Sequence, residues 1–220
     1  MKTLTKTFFL STILFMGLSI TSADSVHAEE ATLSPVIEFT VLGIPSLDKV
    51  FADAATLDGR IVEARDGLVS ARTGIEALAG EDLPALKSKI KDLISSGALK
   101  VDMSSGTPAL AFDEALAPEA VALYASMEKL SSTISSMKVL APELQESVTT
   151  IVASTQAAIS SAPAEVKTAV KAKEIKMKDM KTILSGTKNN GKELKTIPSH
   201  MTEFTNELTG STKLLTDLIS

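Results

Sequence analysis

One run of residues in this chain has the spacing of a phosphate-binding loop. Residues 186–192 read Gly-x-x-x-x-Gly-Lys, a pattern whose backbone N–H groups and lysine hold nucleotide phosphates in other proteins. Glu193 follows where such a loop needs the Ser or Thr that binds Mg²⁺. The pattern also needs a preceding strand, and here a predicted helix precedes it. We therefore predict a turn between two helices, formed by the Asn-Asn-Gly run at 189–191.

A second pattern, Ser-x-x-Lys, has the spacing that exported serine acyl-enzymes use. One helical turn then brings a lysine amine next to the serine hydroxyl. The pattern occurs at Ser88/Lys91, Ser135/Lys138 and Ser185/Lys188. The same enzymes need Ser-Asp-Asn and Lys-Thr-Gly elements, and this chain contains neither tripeptide. We therefore expect no catalytic serine among these pairs.

His200 is the one histidine that remains if the N-terminal segment is removed. A zinc site needs three or four nitrogen, oxygen or sulfur ligands, and the chain has no Cys. The acidic residues do not follow the spacing of an EF-hand loop. We predict that His200 is an ordinary surface or helix-capping residue. We expect no catalytic residue, no metal and no cofactor in this protein.

The N-terminal residues have the order of a secretory signal peptide. Lys2 and Lys6 precede a mostly apolar run, residues 8–20, which is too short to cross a bilayer. The small residues Val26 and Ala28 then stand at positions −3 and −1 of a cleavage site. We predict cleavage near Ala28 and export to a secreted or periplasmic location.

Composition limits the class of the processed protein. We predict a signal peptide at residues 1–28, an extended segment at 29–45 and a single helical-bundle domain at 46–220. The absence of Cys excludes a disulfide scaffold. The chain has 27 acidic against 22 basic side chains, which argues against a nucleic-acid partner.

The clearest structural signal is a heptad pattern over residues 46–79. Apolar residues recur there at alternating steps of three and four. These seam residues are Leu47, Val50, Ala54, Leu57, Ile61, Ala64, Leu68, Ala71, Ile75 and Leu78. Such a seam predicts a long helix that packs against other helices, with Ser46 as its N-cap and Gly80 as its stop.

The helical pattern continues through most of the remaining chain. A second long region begins at Pro118 and passes through Pro142 without a change of register, which favours one kinked helix over two. A further helical run stops at Gly186, and a last helix is predicted over residues 199–219. We therefore predict an all-α fold, an elongated bundle of long heptad-patterned helices of the coiled-coil type.

Residues 98–113 interrupt this pattern. Apolar residues alternate from Leu99 to Met103 and again from Leu110 to Phe112, around a Ser-Ser-Gly-Thr run. The segment predicts either one short β-hairpin or a plain loop. A hairpin between two long helical regions is similar in layout to the bacterial helical pore-forming toxins that carry a β-tongue. This segment is shorter and less apolar than such a tongue.

Charge is unevenly distributed along the chain. Residues 29–166 carry 10 basic and 20 acidic side chains, whereas residues 167–220 carry 10 and 6. Seven lysines of the second part are spaced so that a continuous helix would align them on one side. They are Lys167, Lys171, Lys178, Lys181, Lys188, Lys192 and Lys195. This side is either a solvated face, a face packed against the acidic helices, or a docking face for an anionic surface or partner. We predict that Met177 and Met180 beside it fill the core.

Three classes of function fit these features. The leading hypothesis is an exported, noncatalytic helical-bundle protein, which acts as an interaction or structural module by binding another protein or itself. The alternative is a membrane-active or lipid-binding protein, pore-former-like, that uses a Lys-lined amphipathic helix around residues 166–195. The third is an enzyme whose site is assembled from dispersed residues, which would require a concave pocket with convergent polar groups. No small-molecule substrate is identified.

Overall fold

Long helices dominate the structure, as the heptad patterns predict. The computed structural model describes residues 35–80, 82–104 and 106–220. Its helices are α1 (Pro45–Ala79), α2 (Leu83–Ser95), α3 (Val121–Lys171), α4 (Met180–Glu193) and α5 (Thr196–Ile219). Strands β1 (Leu99–Asp102) and β2 (Ala109–Phe112) form one antiparallel pair. The predicted signal peptide, residues 1–28, and residues 29–34 of the predicted extended segment lie outside the described residues.

Most of the α1 seam lies in the main core, where α1, α3 and α5 pack against one another, whereas Leu47 belongs to a second, smaller cluster. Eight of the ten seam residues are buried, whereas Val50 is half-buried and Leu78 is exposed. The predicted stop is confirmed, since Gly80 follows α1 with a φ of 57°. The seam prediction is therefore confirmed over most of the helix length.

The start of α1 differs from the prediction. The helix begins at Pro45, and the Ser46 side chain makes no cap. Its hydroxyl instead donates to the Glu165 carboxylate of α3 across 2.5 Å. Hydrogen bonds from the Ser161 and Ser46 hydroxyls lower the pKa of Glu165. This link ties the first turn of α1 to α3.

The second long region is one helix, as predicted. α3 has 51 residues and continues through both Pro142 and Pro163. At about 1.5 Å per residue the path of this helix is about 75 Å long. Leu144 and Val148, directly after the first proline, are buried in the main core. Their packing holds the register of the helix where a backbone hydrogen bond is lost.

Residues 98–113 form the hairpin rather than the loop. Leu99 pairs with Phe112 in its register, and Phe112 stacks on Tyr124 of α3 with ring centroids 4.9 Å apart. The Ser131 hydroxyl donates to the Pro108 carbonyl. An isolated two-stranded hairpin is marginal in water, so packing against α3 stabilises it.

The non-helical segment before α1 crosses the bundle and obtains its hydrogen bonds from side chains. The Ile37 N–H donates to the Asp58 carboxylate across 2.9 Å. The Thr40 N–H and carbonyl both pair with the Asn190 side chain, at 3.0 and 2.9 Å. The Asp48 carboxylate accepts hydrogen bonds from the backbone N–H groups of residues 42 and 43. Side chains thereby bind the backbone of this segment, and in the case of Ile37 the bond is buried.

The predicted turn at residues 189–191 is wrong, and so is the predicted stop at Gly186. Helix α4 continues through both to Glu193. Asn190 is buried because it pairs with Thr40, and a Cβ at Gly186 would lie 2.7 Å from the Leu42 side chain. Gly and Asn therefore serve here to let α4 approach the N-terminal segment.

We expect the Asn190→Ala variant to lose about 2 kcal/mol of unfolding free energy, since both Thr40 backbone groups lose their partner. Asn189→Ala is the matched control, because Asn189 is exposed on the same helix. It should change stability by less than about 0.5 kcal/mol. Urea denaturation measures both variants, and hydrogen exchange at the Thr40 amide should rise only in the first. Equal losses in the two variants would contradict this role.

Candidate functional site

The seven predicted lysines do not lie on one continuous helix. α3 ends at Lys171, and the chain reverses before α4 begins at Met180. The prediction of one aligned face is therefore wrong, and the lysines divide into two groups. We call Lys167, Lys171, Lys178 and Lys181, with the intervening Lys173 and Lys176, the lysine corner. The other group is Lys188, Lys192 and Lys195, along the end of α4.

The reversal is built from a regular helix-ending motif. The Lys173 N–H donates to the Val170 carbonyl, and the Glu174 N–H donates to the Ala169 carbonyl. These two bonds define a Schellman motif, in which the residue after the C-cap adopts a left-handed conformation. Lys173 occupies that position with a φ of 62°. Glycine is the usual residue at this position. Because this chain has lysine there, the sequence contained no sign that the helix ends at this point.

The Lys173→Gly variant should raise the free energy of unfolding by about 0.5 to 1 kcal/mol, because glycine adopts positive φ without a steric cost. Lys176→Gly provides the control, since Lys176 has a φ of −83° and the same charge. It should give no gain in stability. Thermal or urea denaturation of both variants measures the difference. A loss of stability in Lys173→Gly would contradict the conclusion that the positive φ of Lys173 costs stability.

All seven predicted lysines are exposed, and in the described residues none of them forms an ion pair with an acidic side chain. The hypothesis that these lysines pack against the acidic helices is therefore wrong. Between residues 167 and 181 there are six lysines and two acids. The lysine corner is a concentrated positive surface with two carboxylates.

Met177 lies in the turn between α3 and α4, with Lys176 and Lys178 as its neighbours in sequence. Its side chain is 74% exposed, whereas Met180 is half-buried. The prediction that Met177 fills the core is wrong, because the residue lies in the turn between two helices rather than on a packed face. Met177 is therefore an exposed apolar side chain between two lysines.

His200 is buried, contrary to the prediction. It is 1% exposed, and its Nδ1 lies 2.7 Å from an Asp58 carboxylate oxygen, where Asp58 is itself 0% exposed. A carboxylate only accepts, so the imidazole donates. The prediction of a surface or capping residue is therefore wrong. His200 instead joins α5 to α1, and Asp58 also holds the Ile37 amide.

This pair is the first of three along the α1–α5 interface. Arg65 bonds Glu203, and Arg72 bonds Glu207 across 3.1 Å. On α1 these residues recur every seven positions, and each follows a seam residue directly. The sequence therefore contained a signal for this polar row, in the form of charged residues repeated at one heptad position beside the seam.

The catalytic patterns overlap in part with the second lysine group, because Lys188 and Lys192 belong to both. The Gly-x-x-x-x-Gly-Lys run lies inside α4, so its backbone N–H groups are used by the helix. Lys138 donates to the Gly106 carbonyl and the Thr107 hydroxyl, at 2.8 and 3.0 Å. Over the described ranges, no three His, Asp or Glu side chains come together as a metal-binding group.

Comparisons of the chain with protein-family models, with curated proteins and with solved structures find no match. In the part of the chain that the structure describes, no helix combines the length and apolar character needed to cross a membrane. Function is therefore inferred from the geometry above.

Proposed function

We propose that this protein is an exported, noncatalytic interaction protein that binds anionic membrane surfaces through the lysine corner. The observation that carries the proposal is the exposed Met177 among six lysines at the reversal between α3 and α4. Export rests on the predicted signal peptide at residues 1–28.

Electrostatic attraction would supply most of the binding free energy. A lysine near an anionic lipid surface contributes about 1 kcal/mol. The lysine corner offers six such side chains, on the ends of two helices and in the turn between them. None of the six forms an ion pair with another described residue, so no ion pair has to break before they bind lipid. The two acids, Glu174 and Asp179, reduce this attraction without cancelling it.

Met177 favours a lipid surface over an acidic protein surface. Apolar side chains enter the boundary between headgroups and acyl chains, while neighbouring lysines stay with the headgroups. The hairpin also exposes one apolar side chain, Met103 at 47%, but this residue is not part of the lysine corner. The hairpin is held against α3 by Tyr124, Ser131 and Lys138.

Self-association is the second candidate function, and the charge asymmetry favours it. Residues 29–166 have a net charge of −10, whereas residues 167–220 have +4. The lysine corner of one copy could contact the acidic part of another. Sedimentation velocity without lipid tests this candidate. A concentration-dependent dimer that dissociates at higher salt would support self-association. A monomer at all concentrations would reject it.

Flotation of the exported form with lipid vesicles tests the main proposal. We expect the protein to float with anionic vesicles and not with neutral ones. Flotation should weaken between low and physiological salt, where the screening length falls to about 8 Å. Absence of flotation under both conditions would reject membrane binding and leave self-association.

A further inference from the structure

An open groove lies between α3 and α4, and none of its lining residues belongs to the lysine corner. The volume of the groove is about 540 Å³, and small-molecule sites usually have volumes of about 300–1,000 Å³. Its apolar lining comes from Ile159, Ala162 and Pro163 of α3 and from Leu184 of α4. The groove is therefore a candidate site for an apolar group.

Two features leave the floor of this groove without a free polar group. A Cβ at Gly191 would lie 2.8 Å from the Ile159 side chain, so the glycine allows α4 to lie directly against an apolar residue. Thr187 also lines the groove, but its hydroxyl already donates to the Ile183 carbonyl across 2.9 Å. A ligand lying here would contact hydrocarbon without leaving a buried polar group unpaired.

The remaining lining residues are all cationic. Lys188, Lys192 and Lys195 are exposed and follow one another at steps of four and three. No acidic residue lines the groove within the described chain. An apolar floor with positive charge at its edge is complementary to a molecule with a long apolar part and one anionic end.

We propose that this groove binds a fatty acid, with the acyl chain along the apolar floor and the carboxylate at Lys188, Lys192 and Lys195. Each methylene that leaves water raises affinity by roughly fourfold. Ammonium groups then fix the orientation of the chain by charge-assisted hydrogen bonds. This site does not depend on membrane binding by the lysine corner, because the two surfaces share no residue.

Titration of the exported protein with the fluorescent fatty acid 11-(dansylamino)undecanoate tests the proposal. We expect saturable binding of the acid. The affinity for its methyl ester should be lower by about tenfold or more, because the ester has no charge. The triple variant Lys188→Gln, Lys192→Gln, Lys195→Gln should lose about tenfold or more in affinity for the acid. Absence of saturable binding, or equal binding of acid and ester, would overturn the proposal.

Two further variants distinguish this groove from a general effect of charge. The triple variant Lys167→Gln, Lys171→Gln, Lys178→Gln removes the same charge from the lysine corner and should bind the acid as the wild type does. Pro163→Trp should block the groove, because Pro163 lines it and is exposed. Equal losses in the two lysine triples, or full binding by a folded Pro163→Trp variant, would overturn the proposal.

Discussion

The Asp58→Ala variant is expected to lose about 3 kcal/mol of unfolding free energy. Asp58 is fully buried and accepts hydrogen bonds from both His200 on α5 and the Ile37 amide of the N-terminal segment. Its removal leaves two buried donors without a partner, and such donors each cost about 1–3 kcal/mol. Urea denaturation followed by circular dichroism measures the change.

Asp53→Ala is the matched control for this substitution. Asp53 lies on the same helix and pairs with Lys49, but the pair is exposed. Exposed pairs of this kind contribute about 0.3–0.5 kcal/mol. A loss in Asp58→Ala no larger than that in Asp53→Ala would contradict the role of Asp58 as the junction of three elements.

Reversal of charge at the lysine corner should abolish binding to anionic vesicles. The triple variant Lys171→Glu, Lys178→Glu, Lys181→Glu removes about 3 kcal/mol of attraction and adds repulsion. We therefore expect the vesicle affinity to fall by more than about a hundredfold. Vesicle flotation at low salt measures it. Since the three lysines are exposed, the free energy of unfolding should change little.

A control triple separates the surface from the net charge. Lys89, Lys91 and Lys129 are exposed on α2 and α3, outside the lysine corner. Their reversal to Glu changes the net charge by the same amount. This control should lose much less affinity, because most of its charge lies beyond the screening length from the bound surface. Equal losses in both triples would mean that the net charge, and not the corner, decides binding.

The helical bundle could be predicted because its signal is local and repeated. The apolar residues of α1 recur over the full helix, and burial of most of them confirmed the pattern. The passage of α3 through Pro142 could be predicted for the same reason, since the apolar register continues on both sides. The hairpin could only be narrowed to two alternatives. Its formation depends on Tyr124 and Ser131, which belong to another element.

The site could be predicted only in part. The lysines could be identified from the sequence, but their exposure was one of three alternatives, and their division into two groups depends on the end of α3. That end has Lys173 where glycine would have signalled it. Asn190 and His200 were mispredicted because their partners, Thr40 and Asp58, lie 150 and 142 residues away in sequence. The burial of a polar residue is decided by such a partner and not by its neighbours in the chain.

The most direct test of membrane binding by the lysine corner uses a single fluorescent label. The chain has no Cys, so Met177→Cys can be labelled at one position with an environment-sensitive nitrobenzoxadiazole group. Val139→Cys is the control, because Val139 is an apolar residue of α3 that is 81% exposed. With anionic vesicles we predict a blue shift of the label at position 177 and none at position 139. The absence of a shift at position 177, or equal shifts at both positions, would contradict binding through the lysine corner.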